Sequence, residues 1–270
     1  MLKTIRNIDS TRVRPAAAAG TFYPADGAVL RRVVTGFLRE ANRIGPTPKA
    51  LIAPHAGYPY SGPVAASGYA LLKPARDRIQ RVVLVGPSHR LPFHGLAAPS
   101  VEAFATPLGV VPIDRAGVQK SLEWSQVQVL DEAHRHEHSL EVQLPFLQLT
   151  LDQFAIVPLA VGEAYASEVA DVINSLWGSE ETLVVVSSDL SHYHDYWTAR
   201  AIDSETSNLI ENGQWQQLSG QRACGYGGIR GLLKVALKRR LRIKTVDLRN
   251  SGDTSGNKEQ VVGYGSYVIY

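Results

Sequence analysis

Three histidines follow short apolar runs in this chain. His55 comes after Leu51-Ile52-Ala53-Pro54, His89 after Val82-Val83-Leu84-Val85-Gly86-Pro87-Ser88, and His192 after Leu183 to Val186 and the loop Ser187-Ser188-Asp189-Leu190-Ser191. Imidazole titrates near neutrality and is the commonest protein metal ligand. Two imidazoles facing one open crevice are the start of a transition-metal site. Any one of these histidines alone reads as a satisfied polar residue of a loop. Three at equivalent positions, each beside Gly, Pro or Ser, favour a shared site.

The neighbouring residues widen the chemistry. Asp189 can orient an imidazole, bind a metal or cap the helix that follows. His138 and Glu141, three residues apart, share one face if a helix has begun, and both can then point into the crevice. His134, His136 and His138 alternate, but Asp131, Glu132 and Arg135 mark a solvated loop, so His134 and His136 read as surface residues, as does His194. Cys224 precedes a helix, whose amino terminus favours the thiolate that ligates metals or attacks carbonyls. The bland alternative is a small buried residue, and the glycines after it can form an anion-binding nest.

These residues need a scaffold that brings distant loops together. Apolar runs at Lys49–Ala53, Arg81–Val85, Phe154–Val161 and Thr182–Val186 read as buried strands, with further strands over 241–248 and 260–269. Helical spacing appears from Val29 to Ala41, after Asp26 as cap, and over 164–177, 197–212 and the stretch after Gly225–Gly228 through Lys238. Ser61 and Pro63 read as the cap and first turn of a helix from Val64 to Leu72. Helices are also expected over Arg115–Trp124 and from His138 along Leu140, Leu144, Leu147 and Leu151. The segment Gly95 to Asp114, with its turn at Thr106-Pro107-Leu108-Gly109, reads as an antiparallel excursion. The pattern predicts an α/β fold, a mostly parallel central sheet flanked by helices with antiparallel additions. In such a sheet the strand carboxyl ends share one edge, where His55, His89 and His192 can converge.

The composition narrows the function classes. The 270 residues carry a formal charge of +3, too mild for a nucleic-acid partner. Residues 1–14 are a polar lead-in without a leader's apolar core, no run approaches a membrane span, and one domain over 1–270 is expected. The lone Cys224 excludes an internal disulfide and fits a reducing cytoplasm.

Together, the segments Gly20-Thr21-Phe22-Tyr23-Pro24, Pro54-His55-Ala56-Gly57-Tyr58, Tyr60-Ser61-Gly62, Gly86-Pro87-Ser88-His89, Glu137-His138-Ser139-Leu140-Glu141, Ser187-Ser188-Asp189 and Ala223-Cys224-Gly225 resemble the successive signatures of the Memo family. Its bacterial and archaeal members are also called AmmeMemoRadiSam system protein B. The resemblance runs in order from about Arg14 to the C-terminus. It implies a fold similar to the class III, non-haem-iron extradiol dioxygenases. It also implies that His55, His89 and Cys224 bind one Fe(II), or alternatively Cu, with His192 at the position of the catalytic base. The thiolate departs from the dioxygenases' two histidines and glutamate and favours softer ions. A pathway link to a radical SAM protein and an AMMECR-type protein is implied as well.

The expected function is therefore a cytoplasmic, metal-dependent, dioxygenase-like oxidoreductase. His192 moves protons, while Asp189, His138 and Glu141 orient ligands or substrate. Two alternatives stand beside it. One is a non-enzymatic module that binds a peptide or an anionic ligand, a small molecule included, in the same crevice. The other is a hydrolase or transferase with Cys224 as nucleophile and His192 as base.

Overall fold

The computed structural model describes residues 10–42, 45–254 and 256–270. Most of the polar lead-in, residues 1–9, lies outside the described residues. Twelve strands are formed among those described: β1 (Val13–Arg14), β2 (Ala50–Ala53), β3 (Arg81–Pro87), β4 (Leu96–Ala98), β5 (Ala103–Thr106), β6 (Gly109–Pro112), β7 (Val127–Val129), β8 (Ala155–Val161), β9 (Thr182–Ser187), β10 (His192–His194), β11 (Ile243–Asn250) and β12 (Val261–Ile269). Four of them make the parallel heart of a nine-stranded sheet, in the order β2-β9-β3-β8. Their sequences are almost unbroken runs of Ala, Val, Leu and Ile, because helices cover both faces and leave no side for polar alternation. Beyond β8 come β4, antiparallel, and β7. Beyond β2 comes β12, antiparallel, carrying both β10 and β11. The expected α/β architecture is the one observed.

The helices are α1 (Gly27–Glu40), α2 (Tyr58–Tyr69), α3 (Arg115–Ser121), α4 (Glu132–Arg135), α5 (Leu144–Thr150), α6 (Ala166–Ser175), α7 (Tyr196–Glu211), α8 (Tyr226–Lys238) and α9 (Ser251–Thr254). Asp26 caps α1 by accepting from the Val29 amide at 2.8 Å, as its position predicts. α1, α2 and α5 pack together, with α2 against β2 and β12; α6 and α8 form a second group, with α8 against β3 and β9. Among the described residues no helix is long and apolar enough to cross a membrane.

Three sequence expectations change. Helix α2 begins at Tyr58, well before the expected cap at Ser61. Gly57 is its cap, and Pro63 lies inside it; the Ser61 hydroxyl donates back to Ala56 O instead. The excursion after Gly95 divides in two. Leu96–Ala98 joins the large sheet, and only β5 and β6 form a hairpin, which pairs through β5 with β1 in a separate three-stranded sheet. Finally, the chain from His136 to Leu140 is irregular, a 3-10 turn spans Glu141–Gln143, and α5 starts only at Leu144. His138 and Glu141 therefore do not share a helical face.

Candidate metal centre

The parallel core places three chemical groups at one edge by the same step. His55 lies two residues past the end of β2, His89 two past β3, and Asp189 two past β9. His138 arrives from the irregular segment before α5. The ring centroids of His55 and His89 are 5.1 Å apart, those of His55 and His138 5.4 Å, and those of His89 and His138 4.7 Å. One nitrogen from each ring lies within 4.8 Å of the other two. Side chains that share an ion come this close.

Hydrogen bonds behind the rings determine which nitrogen faces the cluster. Ser187 Oγ donates to Ser139 O at 2.6 Å, so its proton is committed. It then accepts from Gln143 Nε2 at 2.8 Å and from His55 Nδ1 at 2.9 Å. His55 therefore carries its proton on Nδ1 and leaves Nε2 a bare donor pair. Glu137 does the same for His89: Oε1 accepts from His89 Nδ1 at 2.9 Å, and Oε2 accepts from the His89 amide at 2.6 Å. The same Oε1 accepts from the amides of His138 and Ser139 at 3.0 and 2.9 Å. Burial pushes the Glu137 carboxyl up, but the His89 ring and amide and the Ser139 amide outweigh it and hold it at about 2. It is an anion at every pH of interest. A carboxylate or hydroxyl on the outer nitrogen is the usual support of a ligating histidine.

The His55 and His138 rings are neutral. Burial, then repulsion from His89 and His138, drives His55 well below its ordinary value. Burial outweighs the nearby Glu137 charge and lowers His138 to about 4. His138 Nδ1 is buried, 3.3 Å from Glu137 Oε1, and makes no hydrogen bond there. Three imidazoles that bring one nitrogen each within 4.8 Å of the others are a donor set a transition metal can use. The residues fit a metal ion.

A family model described as a Memo-like protein matches residues 14–268 of this chain. The chain belongs to the Memo family. It is 36% identical over 278 residues to a MEMO1 family protein of Methanosarcina barkeri, covering 95% of this chain and 100% of that one. It is 35% identical over 268 residues to a MEMO1 family protein of Aquifex aeolicus, covering 94% and 97%. The crystal structure of an uncharacterized protein from Escherichia coli K12 superposes with a TM-score of 0.53 at 15% identity, over 82% of this chain and 99% of that one. That likeness is one of fold.

The remaining site residues of this Memo chain are divided between the cluster and its surroundings. Cys224 Sγ lies 3.2 Å from His55 Nε2 and accepts from the Asp189 amide at 3.3 Å. Burial, with the Asp189 charge, pushes its thiol up to about 12. The expected activation by a helix amino terminus is thus outweighed. In the metal-free protein the thiol donates to the bare His55 nitrogen. Asp189 is buried, and its Oδ1 accepts from the His55 and Ala56 amides at 2.7 and 3.3 Å, fixing the loop that carries His55. Burial outweighs those two amides and raises its carboxyl to about 7. His192, half-buried, is lowered by burial and stays neutral at pH 7.

A cavity of about 700 Å³ opens beside the cluster, lined by His192, His194, Glu205, Arg222 and Cys224 among others. His194, expected at the surface, is half-buried on this wall with His192. Alternate residues of a strand share a face, and Tyr193 between them sits at φ 62°, where the register of β10 against β12 shifts.

Two further expectations are corrected. Glu141 does not face the crevice: it is fully buried, and its carboxylate accepts from Arg14, Tyr23, Ala17 and Ala18. His134 is also buried, with Nε2 3.0 Å from Ala97 O, and burial lowers it to about 4. His136 is exposed, as read. His138, expected to orient a ligand, is instead one of the three converging rings, and Glu137 is the partner of His89. The available signal was an acid directly beside a histidine in a segment without helical periodicity.

Gly225 is the closest backbone approach in this region. A Cβ there would lie 2.5 Å from Ser187 O and 2.7 Å from Ser188 Cβ. Gly225→Ala is expected to push the start of α8 off the end of β9 and cost about 1–3 kcal/mol, read as a lowered urea midpoint with unchanged m-value.

Proposed function

We propose that this chain is a metal-dependent, dioxygenase-like oxidoreductase that holds one Fe(II) or Cu ion between His55, His89 and His138, with Cys224 as an adjacent fourth donor. The observation that carries the reading is the mutual approach of three imidazole nitrogens within 4.8 Å, two of them given a fixed tautomer by Ser187 and Glu137. Imidazole suits iron and copper, and a thiolate beside it shifts preference toward softer ions. The chemistry such an ion supplies when bound is one-electron transfer at a position open to O₂ or a small ligand.

The chain's own groups do the rest. His192, neutral on the cavity wall, is placed to accept a proton from a ligand in that cavity. Asp189 holds the His55 loop through two backbone amides and, with its carboxyl near 7, takes up or releases a proton near neutrality. The lone cysteine supports a cytoplasmic setting, where a thiol beside the site stays reduced.

Protein purified without air or chelator is expected to contain one iron or copper per chain by elemental analysis, and His55→Ala to fold but contain none. A His55→Ala protein with one metal per chain would sink the site assignment. Wild type that is metal-free and takes up neither ion on titration would favour the binding module, whose ligand affinity is indifferent to chelation.

A further inference from the structure

The polar lead-in ends in a residue that holds the candidate metal centre together. Arg14 is buried, and its guanidinium is fully spread: Nη1 donates to Glu141 Oε2 at 2.5 Å, Nε to His134 O at 2.6 Å, and Nη2 to Glu137 O at 2.6 Å. These three acceptors are the two ends and the middle of the segment that carries Glu137 and His138. That segment is irregular, so no helical or sheet ladder fixes it. The Arg14 fork substitutes for one.

Glu141 is the other half of the clamp. Oε2 also accepts from the Ala17 amide, and Oε1 from the Ala18 amide, both at 2.8 Å, and from the Tyr23 hydroxyl at 2.5 Å. One carboxylate thus bends residues 14–23 into a strap across the His138 segment. Near its end the strap carries Phe22, whose ring stacks on His138 with centroids 4.2 Å apart and planes at 22°. Phe22 O accepts from the Tyr58 amide at 2.8 Å, which joins the strap to the loop after His55.

We propose that Arg14, Glu141 and Phe22 are positioning residues of the metal centre, the buried Arg14–Glu141 pair fixing the backbone of the Glu137-His138 segment and Phe22 fixing the His138 ring. The assignment rests on the proposed three-histidine site. It gives a role to an ion pair whose two side chains are almost wholly buried. Such a pair adds little net stability compared with well-packed apolar residues, whereas misplacing a ligand or its support weakens metal binding about 10–100-fold.

The test is Co(II) and Fe(II) titration of full-length wild type, Arg14→Lys, Glu141→Gln and Phe22→Leu, with Val172→Ala in the buried core of α6 as a control for lost stability. Arg14→Lys keeps a cation and Glu141→Gln keeps the size of the side chain, but the glutamine amide nitrogen accepts from none of the donors that meet the Glu141 carboxylate. Phe22→Leu leaves the ion pair intact, so it reports on the ring contact if both others fail to fold. The expected result is Kd raised about 10–100-fold in the strap variants, with an altered Co(II) ligand-field spectrum, while the control loses stability but keeps its Kd. Strap variants that bind like wild type, or a control that weakens as much as they do, would overturn the inference. Wild type that binds neither ion would instead overturn the three-histidine site.

Discussion

His138→Ala is expected to weaken binding of one Fe(II) or Cu ion by at least about 100-fold, and Cys224→Ser by about tenfold or less. The first substitution removes one of three converging nitrogens. It also leaves Glu137 in place, since that carboxylate uses the backbone amide of residue 138 and the ring of His89. The loss is then one of ligation and not of His89 orientation. The second substitution removes a sulfur that the metal-free protein keeps as a protonated thiol against His55 Nε2. Isothermal titration of both variants decides between two donor sets. If Cys224→Ser loses as much as His138→Ala, the thiolate is a full ligand and the ion sits toward the His55–Cys224 side of the crevice. If His138→Ala binds like wild type, the three-histidine reading fails.

In the metal-free protein, His134→Gln is expected to remove about 3 kcal/mol of acid sensitivity. His134 is buried between β4 and the Arg14 fork, and its pKa falls from the ordinary 6.5 to about 4 in the folded chain. The folded state therefore resists a proton that the unfolded chain accepts. Between pH 6.5 and 4 the unfolded state binds more protons, so stability rises with pH and is lost as the pH falls. The half-buried His138 acts in the same direction and Asp189, raised to about 7, in the opposite one, between pH 4 and 7. Only the difference between variant and wild type isolates His134. Glutamine keeps a donor for Ala97 O and does not titrate. Urea unfolding at pH 7 and pH 4 should give a smaller drop for the variant. Parallel curves would show that His134 does not resist protonation.

Much of the scaffold was legible because its signals are local. The runs that became β2, β3 and β9 are apolar without alternation, as strands buried on both faces must be, and the positions just after them carry His55, His89 and Asp189. Position past a strand end is readable from a sequence. Pairing across distance is not. Glu141 looked like a free acid beside His138 because its partner, Arg14, is 127 residues away. His134 reads as solvated because charged residues flank it, yet the short helix α4 that carries it lies under the Arg14 fork and takes the ring inside. The early start of α2 was hidden by Pro63, which normally marks a first turn. For Cys224 both an activated thiol and a buried one are readable, and the burial that decides between them is not visible in the sequence.

The order of the central sheet has a consequence for how the site comes into being. β9 lies between β2 and β3, although it follows both by about a hundred residues of chain. His55 and His89 are therefore not held across from each other by any pairing of their own strands. A chain emerging from the ribosome carries all three histidines long before Thr182–Ser187 is made, but the triangle cannot close until that strand inserts and brings Ser187 under His55. Contacts this distant in sequence form slowly. A metal held by these rings would thus arrive late and lock a finished sheet, and would not be a seed around which folding begins. A chain ending before Thr182 should hold no ion, and free metal should slow unfolding while leaving the rate of folding unchanged.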